Sequence, residues 1–416
     1  MNAFIQRTAV AGFAALALHG VAAAQTVAIT GGTVFPVSGP KIEGGTVIIT
    51  NGRITAVGRG VAVPAGAKII DATGKWVTPG LIHANAGAGT GVAGLGGFGE
   101  SNKQGDVNPS FNLTAGIDPE SFTLPLARTG GVTTGIIAPN GSFLPGAVVA
   151  VDYAGDRADQ MVIRGSVGQA LDLGAGLRGA GGGSRAGGIA RLKRLFAEAA
   201  EYDRRRLEYR RGATQSYSAP VEELEALLPA VRGLVPFYVT ANRKMDIQNA
   251  LRLAADHRLR IVIQGGVEAW KVAPELARAG VAVALEPNKD IPDFEGLGAR
   301  LDNVTLLREA GVKTIIAQND PGGERSLRYA AGNAVRNGTS WDDALKSMTL
   351  WPAEAFGLAD YGSLAPGKVG NVVIWSGDPF EFSAAAETVL IRGVETSLRT
   401  REHELRDRYR TLPPPR

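Results

Sequence analysis

Beyond residue 25 the chain carries two kinds of hydrophobic pattern. From Thr26 to Val77 short apolar runs are broken by turn residues. Val27-Ala28-Ile29-Thr30 leads into Gly31-Gly32, and Thr46-Val47-Ile48-Ile49-Thr50 leads into Asn51-Gly52. Asn-Gly between two such runs is the strongest short hairpin signal, and Arg53-Ile54-Thr55-Ala56-Val57 reads as the returning strand. A second β-rich stretch lies at the other end, in Val372-Val373-Ile374-Trp375 and Val389-Leu390-Ile391. The two ends are expected to form one small β-sandwich around a central domain.

The middle of the chain alternates buried-strand runs with amphipathic stretches. Gly131 to Ile137, Phe237 to Thr240, Arg260 to Ile263, Val281 to Leu285 and Lys313 to Ala317 read as strands. Val221 to Val231, Met245 to Asp256 and Val267 to Arg278 read as helices between them. Such alternation predicts a parallel sheet with crossover helices, and periodicity alone leaves a (β/α)8 barrel and an open doubly wound sheet equally eligible. Gly174 to Gly188 is too rich in glycine to predict regular structure, and it lacks the Gly-Lys-Ser/Thr ending of a phosphate loop. Ile189 to Arg211 predicts a charged helix with an apolar stripe at Leu192, Leu195, Phe196 and Ala199.

Residues 1–24 differ in kind. Arg7, the apolar run Ala9 to Leu18 and the small residues Ala22-Ala23-Ala24 predict a secretory signal peptide, too short to span a bilayer. The protein is therefore expected to be secreted or periplasmic, with no membrane span. The balance of 44 basic against 40 acidic residues, spread without a basic block, argues against nucleic acid as a partner. Cysteine is absent, which excludes thiolate metal sites and cysteine nucleophiles. No Gly-x-Ser-x-Gly elbow marks a serine nucleophile.

Several motifs in order carry a family resemblance. Asp71-Ala72-Thr73-Gly74-Lys75 precedes Pro79-Gly80-Leu81-Ile82-His83-Ala84-Asn85-Ala86-Gly87, and Gly362-Ser363-Leu364-Ala365-Pro366-Gly367-Lys368 precedes Asn371-Val372-Val373-Ile374. The chain resembles the amidohydrolase superfamily, closest to its imidazolonepropionase-like branch. The resemblance implies an α/β fold, a (β/α)8 TIM-type barrel with a small β-sandwich formed by both termini. It divides the chain into the signal peptide at 1–24, the sandwich at 25–78 and 362–400, the barrel at 79–361 and a charged C-terminal tail at 401–416. It also implies hydrolysis of carbon–nitrogen bonds other than peptide bonds by a hydroxide on zinc or another divalent metal.

The family's metal ligands are a His-x-His pair on the first barrel strand, histidines on the fifth and sixth, and an aspartate on the eighth. Here the resemblance puts Asn85 and Gly87, Thr240, Gly265 and Asp320 in those places, and Ala170 near a lysine that some relatives carry. Beyond the signal peptide, histidine occurs only at 83, 257 and 403. No cofactor and no metal ligand are therefore expected. Asp320 is the candidate catalytic residue, as a general base. His83, Asn85, Gln264 and Asn319 are candidates for binding a small-molecule ligand, with His83 two residues before Asn85 and so expected on the same side. A packed histidine bonded to a backbone carbonyl is the plainer reading of His83. The leading expectation is a noncatalytic ligand-binding protein, or a partner subunit in a homo-oligomer or an assembly with an intact amidohydrolase paralogue. The alternative is an active hydrolase using Asp320, metal-independent or with one weakly held metal.

Overall fold

The structure, a computed structural model, describes residues 26–90, 105–141, 143–289, 294, 296–318 and 323–410. Sixteen strands occur among them. Near the start of the chain lie β1 (Thr26–Val34), β2 (Ile42–Thr50), β3 (Arg53–Arg59), β4 (Lys68–Asp71) and β5 (Trp76–Pro79). The middle contributes β6 (Leu81–His83), β7 (Val132–Ile137), β8 (Ala147–Asp152), β9 (Val162–Asp172), β10 (Phe237–Ala241), β11 (Ile261–Gly265), β12 (Ala282–Leu285) and β13 (Thr314–Ile316). The last three are β14 (Val372–Trp375), β15 (Ala386–Ile391) and β16 (Val394–Glu395).

The strands of the two chain ends join one eight-stranded sheet, in the order β16-β15-β14-β5-β1-β2-β3, with β4 beside β1. Asn51 and Gly52 turn β2 into β3 with φ of 51° and 76°, the positive pair that a tight hairpin of right-handed twist requires. The two ends meet where β14 runs antiparallel to β5, Trp375 opposite Trp76.

The central sheet also has eight strands, in chain order from β6 to β13. Seven run parallel. β8 runs antiparallel to both β7 and β9, so the mixed sheet departs from the eight parallel strands of a strict (β/α)8 barrel. Residues from one face of every strand meet in a single cluster that includes Ile82, Ile136, Val148, Ala170, Tyr238, Val262, Ala284 and Ile315. That meeting requires a sheet curled onto itself. The residues of the opposite face, such as Leu171, Phe237, Val239, Ile263 and Val283, pack in the outer core with helix side chains such as Leu192, Leu224 and Leu276. The gap between the last strand and the first is bridged by Ser347 and Met348. Their carbonyls accept from Ile316 N at 3.0 Å and Ile82 N at 2.7 Å. The sheet is nearly closed.

Some local expectations are corrected. The Gly-rich segment is helical over Ala175–Ala180, and the next helix starts at Arg185, inside the expected loop. Asp172 accepts the backbone N–H groups of Gly174 and Gly176 at 2.7 and 2.9 Å, and Arg185 makes a two-point ion pair with the fully buried Asp246. These side-chain bonds supply the order that glycine alone lacks. The charged helix ends at Arg204 and a short one follows over Arg206–Arg210. The stretch from Val267 divides into a 3-10 turn at Ala269–Val272 and a helix at Ala273–Ala279. Residues Arg401–Tyr409 form an exposed helix, capped by Thr400 and His403. No helix among the described residues is long and apolar enough to cross a membrane. Residues 1–25 lie outside the described set.

Candidate functional site

The chain leaves β6 at His83 and enters a turn, so strand alternation stops before Asn85. Asn85 lies in a cavity of about 180 Å³ at the C-terminal ends of β10 to β13. Thr240, Asn242, Gln264, Gly265 and Asn303 line the same cavity, with Glu286, Lys289 and Arg300 as its charged residues. The loop carrying Asn85 is held from below. The buried Tyr238 hydroxyl donates to Ala84 O at 2.9 Å, and Ala86 N donates to Ile136 O at 3.1 Å.

The polar groups on this wall serve one another. The Gln264 amide donates from Nε2 to Asn85 Oδ1 at 2.9 Å, and its Oε1 accepts from Thr240 Oγ1 at 3.0 Å. Register explains the second bond, since Thr240 and Gln264 are paired residues of the parallel strands β10 and β11. Gly265 follows with φ of +90°, and a Cβ on it would stand 2.2 Å from Asn242 Oδ1. No larger side chain fits there without moving Asn242.

His83 sits away from this cavity. It is 1 % exposed, and its Nε2 lies 3.1 Å from both the backbone N and O of Gln318. Its Nδ1 faces Glu324 Oε2 at 3.8 Å. Glu324 is the buried acceptor of the region. Its Oε1 takes the N–H groups of Gly87 and Ala88 at 2.7 and 2.6 Å, and its Oε2 takes the Tyr153 hydroxyl at 2.5 Å. Burial alone would raise the Glu324 carboxyl, but His83, Tyr153 and the Gly87 amide outweigh it and hold the group below the usual carboxylate range. Burial first, and the carboxylate next, push the Tyr153 phenol well above its ordinary value.

Of the residues singled out from the sequence, Asn85 and Gln264 therefore meet at the mouth and His83 is packed beneath it. Asn319 and Asp320 lie outside the described residues. Among the described residues, no three histidine, aspartate or glutamate side chains gather as metal ligands would. Sequence reading missed Glu324, Asn242 and Asn303. A lone glutamate in Pro321-Gly322-Gly323-Glu324, an asparagine just after β10 and another at the first position of the helix Asn303–Glu309 carry no periodic or spacing signal.

Several known proteins are similar to this chain. The model described as "Amidohydrolase family" matches residues 180–396. Amidohydrolase tasK of Hapsidospora irregularis is 24% identical over 391 residues, covering 84% of this chain. This chain spans 39% of the length of that protein. Among solved structures, an amidohydrolase from Thermotoga maritima MSB8 superposes with a TM-score of 0.81 and 27% identity, over 90% of this chain and 100% of that one. Molinate hydrolase superposes with a TM-score of 0.57 and 20% identity over 90% of this chain and 95% of its own, a likeness of fold alone.

Proposed function

The chain belongs to the amidohydrolase family, and from that premise we propose that it is a member whose metal chemistry is lost and whose barrel mouth binds a ligand or seats a partner. The observation that carries this reading is the Gln264 amide, which joins Asn85 to Thr240. Those two residues stand where the family resemblance expects metal-binding histidines. A cation there would have to break both bonds and accept neutral amide and hydroxyl oxygens, which are weak zinc ligands beside imidazole. At the other two histidine positions stand Gly87, whose N–H is given to Glu324, and Gly265, where Asn242 fills the space of a side chain. These residues do not fit a divalent metal, and no reaction step is assigned through one.

On the same reading the nearly closed sheet is the family's barrel with one strand reversed, and the terminal sheet is its β-sandwich. Residues 1–24 direct export and are cleaved, which N-terminal sequencing of the exported protein would test.

A second reading, hydrolysis of a carbon–nitrogen bond with Asp320 as base, is favoured by the 27% identity to an amidohydrolase across that protein's whole length. Turnover assays separate the two. With cyclic amides, ureas and aminoacyl amides, the expected result is no rate above buffer, with or without added zinc. Turnover that disappears in Asp320→Asn would establish the second reading instead.

A further inference from the structure

We propose that the mouth takes an amphiphile, with a small polar head in the cavity and an apolar tail laid over a rim of Met245, Phe294, Leu297 and Leu301. This rests on the reading of the mouth as a ligand site and names what the ligand carries outside the cavity.

The cavity itself is small. At about 180 Å³ it falls below the roughly 300–1,000 Å³ of ordinary ligand pockets, so it holds a head group and little more. Whatever else a ligand carries must lie on the rim, and the composition of the rim selects it. On the β12 side the rim is the chain leading into the helix Asn303–Glu309. Arg300 and Asn303 line the cavity, and Leu301 lies between them in the chain. Side chains of the neighbouring loops hold this stretch in place. The Glu268 carboxylate accepts Lys244 N at 2.9 Å and Gly298 N at 3.1 Å. Met245 and Leu297, each next in the chain to one of those residues, therefore flank a single carboxylate. The Trp270 indole donates to Gly298 O at 2.9 Å, and Arg243, which follows the lining residue Asn242, donates to Phe294 O.

The apolar side chains of this rim are not packed away. Phe294 is 86 % exposed, more than any other large hydrophobic residue among the described ones, and Leu297 is 68 % exposed. Met245 and Leu301 are exposed as well. Apolar side chains gathered in water beside a polar cavity mark a binding surface, whereas single ones scattered over a protein do not. Continuity with the cavity names the occupant as the tail of the molecule whose head the cavity holds. Asn85 and Gln264, both half-buried, line that cavity with amides, which donate and accept at once and so suit an amide head.

Butanamide and octanamide share that head and differ only in the tail, and they test the proposal by ligand-observed NMR on the whole exported chain. A fully buried methylene strengthens binding about fourfold, and one laid on a rim with a face in water keeps about twofold. Octanamide is therefore expected to bind at least about tenfold more tightly than butanamide. The double variant Phe294→Ser, Leu297→Ser changes exposed residues only, so it should melt with the wild type. It should also bring the two amides to within about twofold of each other. Equal binding of both amides to the wild type, a preference kept in the double variant, or no octanamide binding up to about 10 mM would overturn the proposal. So would a wild-type dimer in analytical ultracentrifugation that dissociates in the double variant, because a second copy would then cover the rim. Equal binding that is lost in Gln264→Leu would remove the tail and leave the mouth a ligand site. A preference for octanamide with affinities untouched by Gln264→Leu would show tails held without the mouth and remove the reading beneath the proposal.

Discussion

Asp152→Ala is expected to lower the unfolding free energy by about 3 kcal/mol, the low end of the range for removing one partner of a buried ion pair. Asp152 ends β8 and is fully buried. Its Oδ1 accepts from Thr134 Oγ1 at 3.0 Å and Asn371 Nδ2 at 2.9 Å. Its Oδ2 accepts from the Tyr361 hydroxyl at 2.9 Å and Arg392 Nε at 2.8 Å. Asn371 precedes β14 and Arg392 sits in the turn between β15 and β16, so one carboxylate ties the central sheet to the terminal one. The low end applies because the Arg392 side chain is 42% exposed and can rehydrate once released. Chemical denaturation of Asp152→Ala, Arg392→Ala and the double variant would measure this. The double variant should cost well under the sum of the two, since both singles break the same bond. Additive losses would show that Asp152 holds the sheets without Arg392.

Glu324→Ala is expected to cost about 3 kcal/mol, because it strands two backbone N–H groups and a phenol in a dry site, each worth about 1–3 kcal/mol when left unpaired. The simple sum is larger, and relaxation of the loop at Gly87 and Ala88 reduces it. The same carboxylate gives the wild type a pH signature. Its folded pKa lies below the unfolded value of 4.5, so its contribution is full above that value and is lost as pH falls through the folded one. Stability curves of wild type and Glu324→Gln should therefore converge as pH drops below about 4.5. A gap that stays constant into acid would mean that the Glu324 charge does not matter. The loop concerned carries Asn85, so the variant should also weaken whatever the mouth binds.

How much of this could be read in advance varies with the kind of signal. The β2–β3 hairpin was legible because Asn51-Gly52 encodes its own backbone conformation. β10 to β13 were legible as apolar runs between helices, since a strand covered on both faces has no polar alternation. β8 and β9 were not. Ala147 to Asp152 is buried on both faces, and Val162 to Asp172 mixes arginine, serine and glycine with apolar residues. Nothing in composition records that β8 runs backwards. The Gly-rich helix was hidden because its order comes from Asp172 and Asp246, the latter more than fifty residues away.

The site divides in the same manner. Asn85 and Gln264 could be placed through the motifs around them, and the structure sets them 2.9 Å apart. His83 looked available because it is two residues from Asn85, but β6 ends at His83 and the ring turns to Gln318 and Glu324. Glu324 itself is 237 residues from the Gly87 amide that it accepts. Such long-range pairings leave no mark in local pattern, and they are the interactions that shape this mouth.

The central claim is that no divalent metal is held where the family would hold one. Its most direct test is the metal content of the exported protein, purified without chelators and without a metal-binding tag, measured by elemental mass spectrometry alongside its thermal melt. Folded protein carrying no zinc or other transition metal above trace amounts is the predicted result. A near-stoichiometric divalent metal, lost together with Asp320→Asn or Asn85→Ala, would contradict the account and return the mouth to metal chemistry.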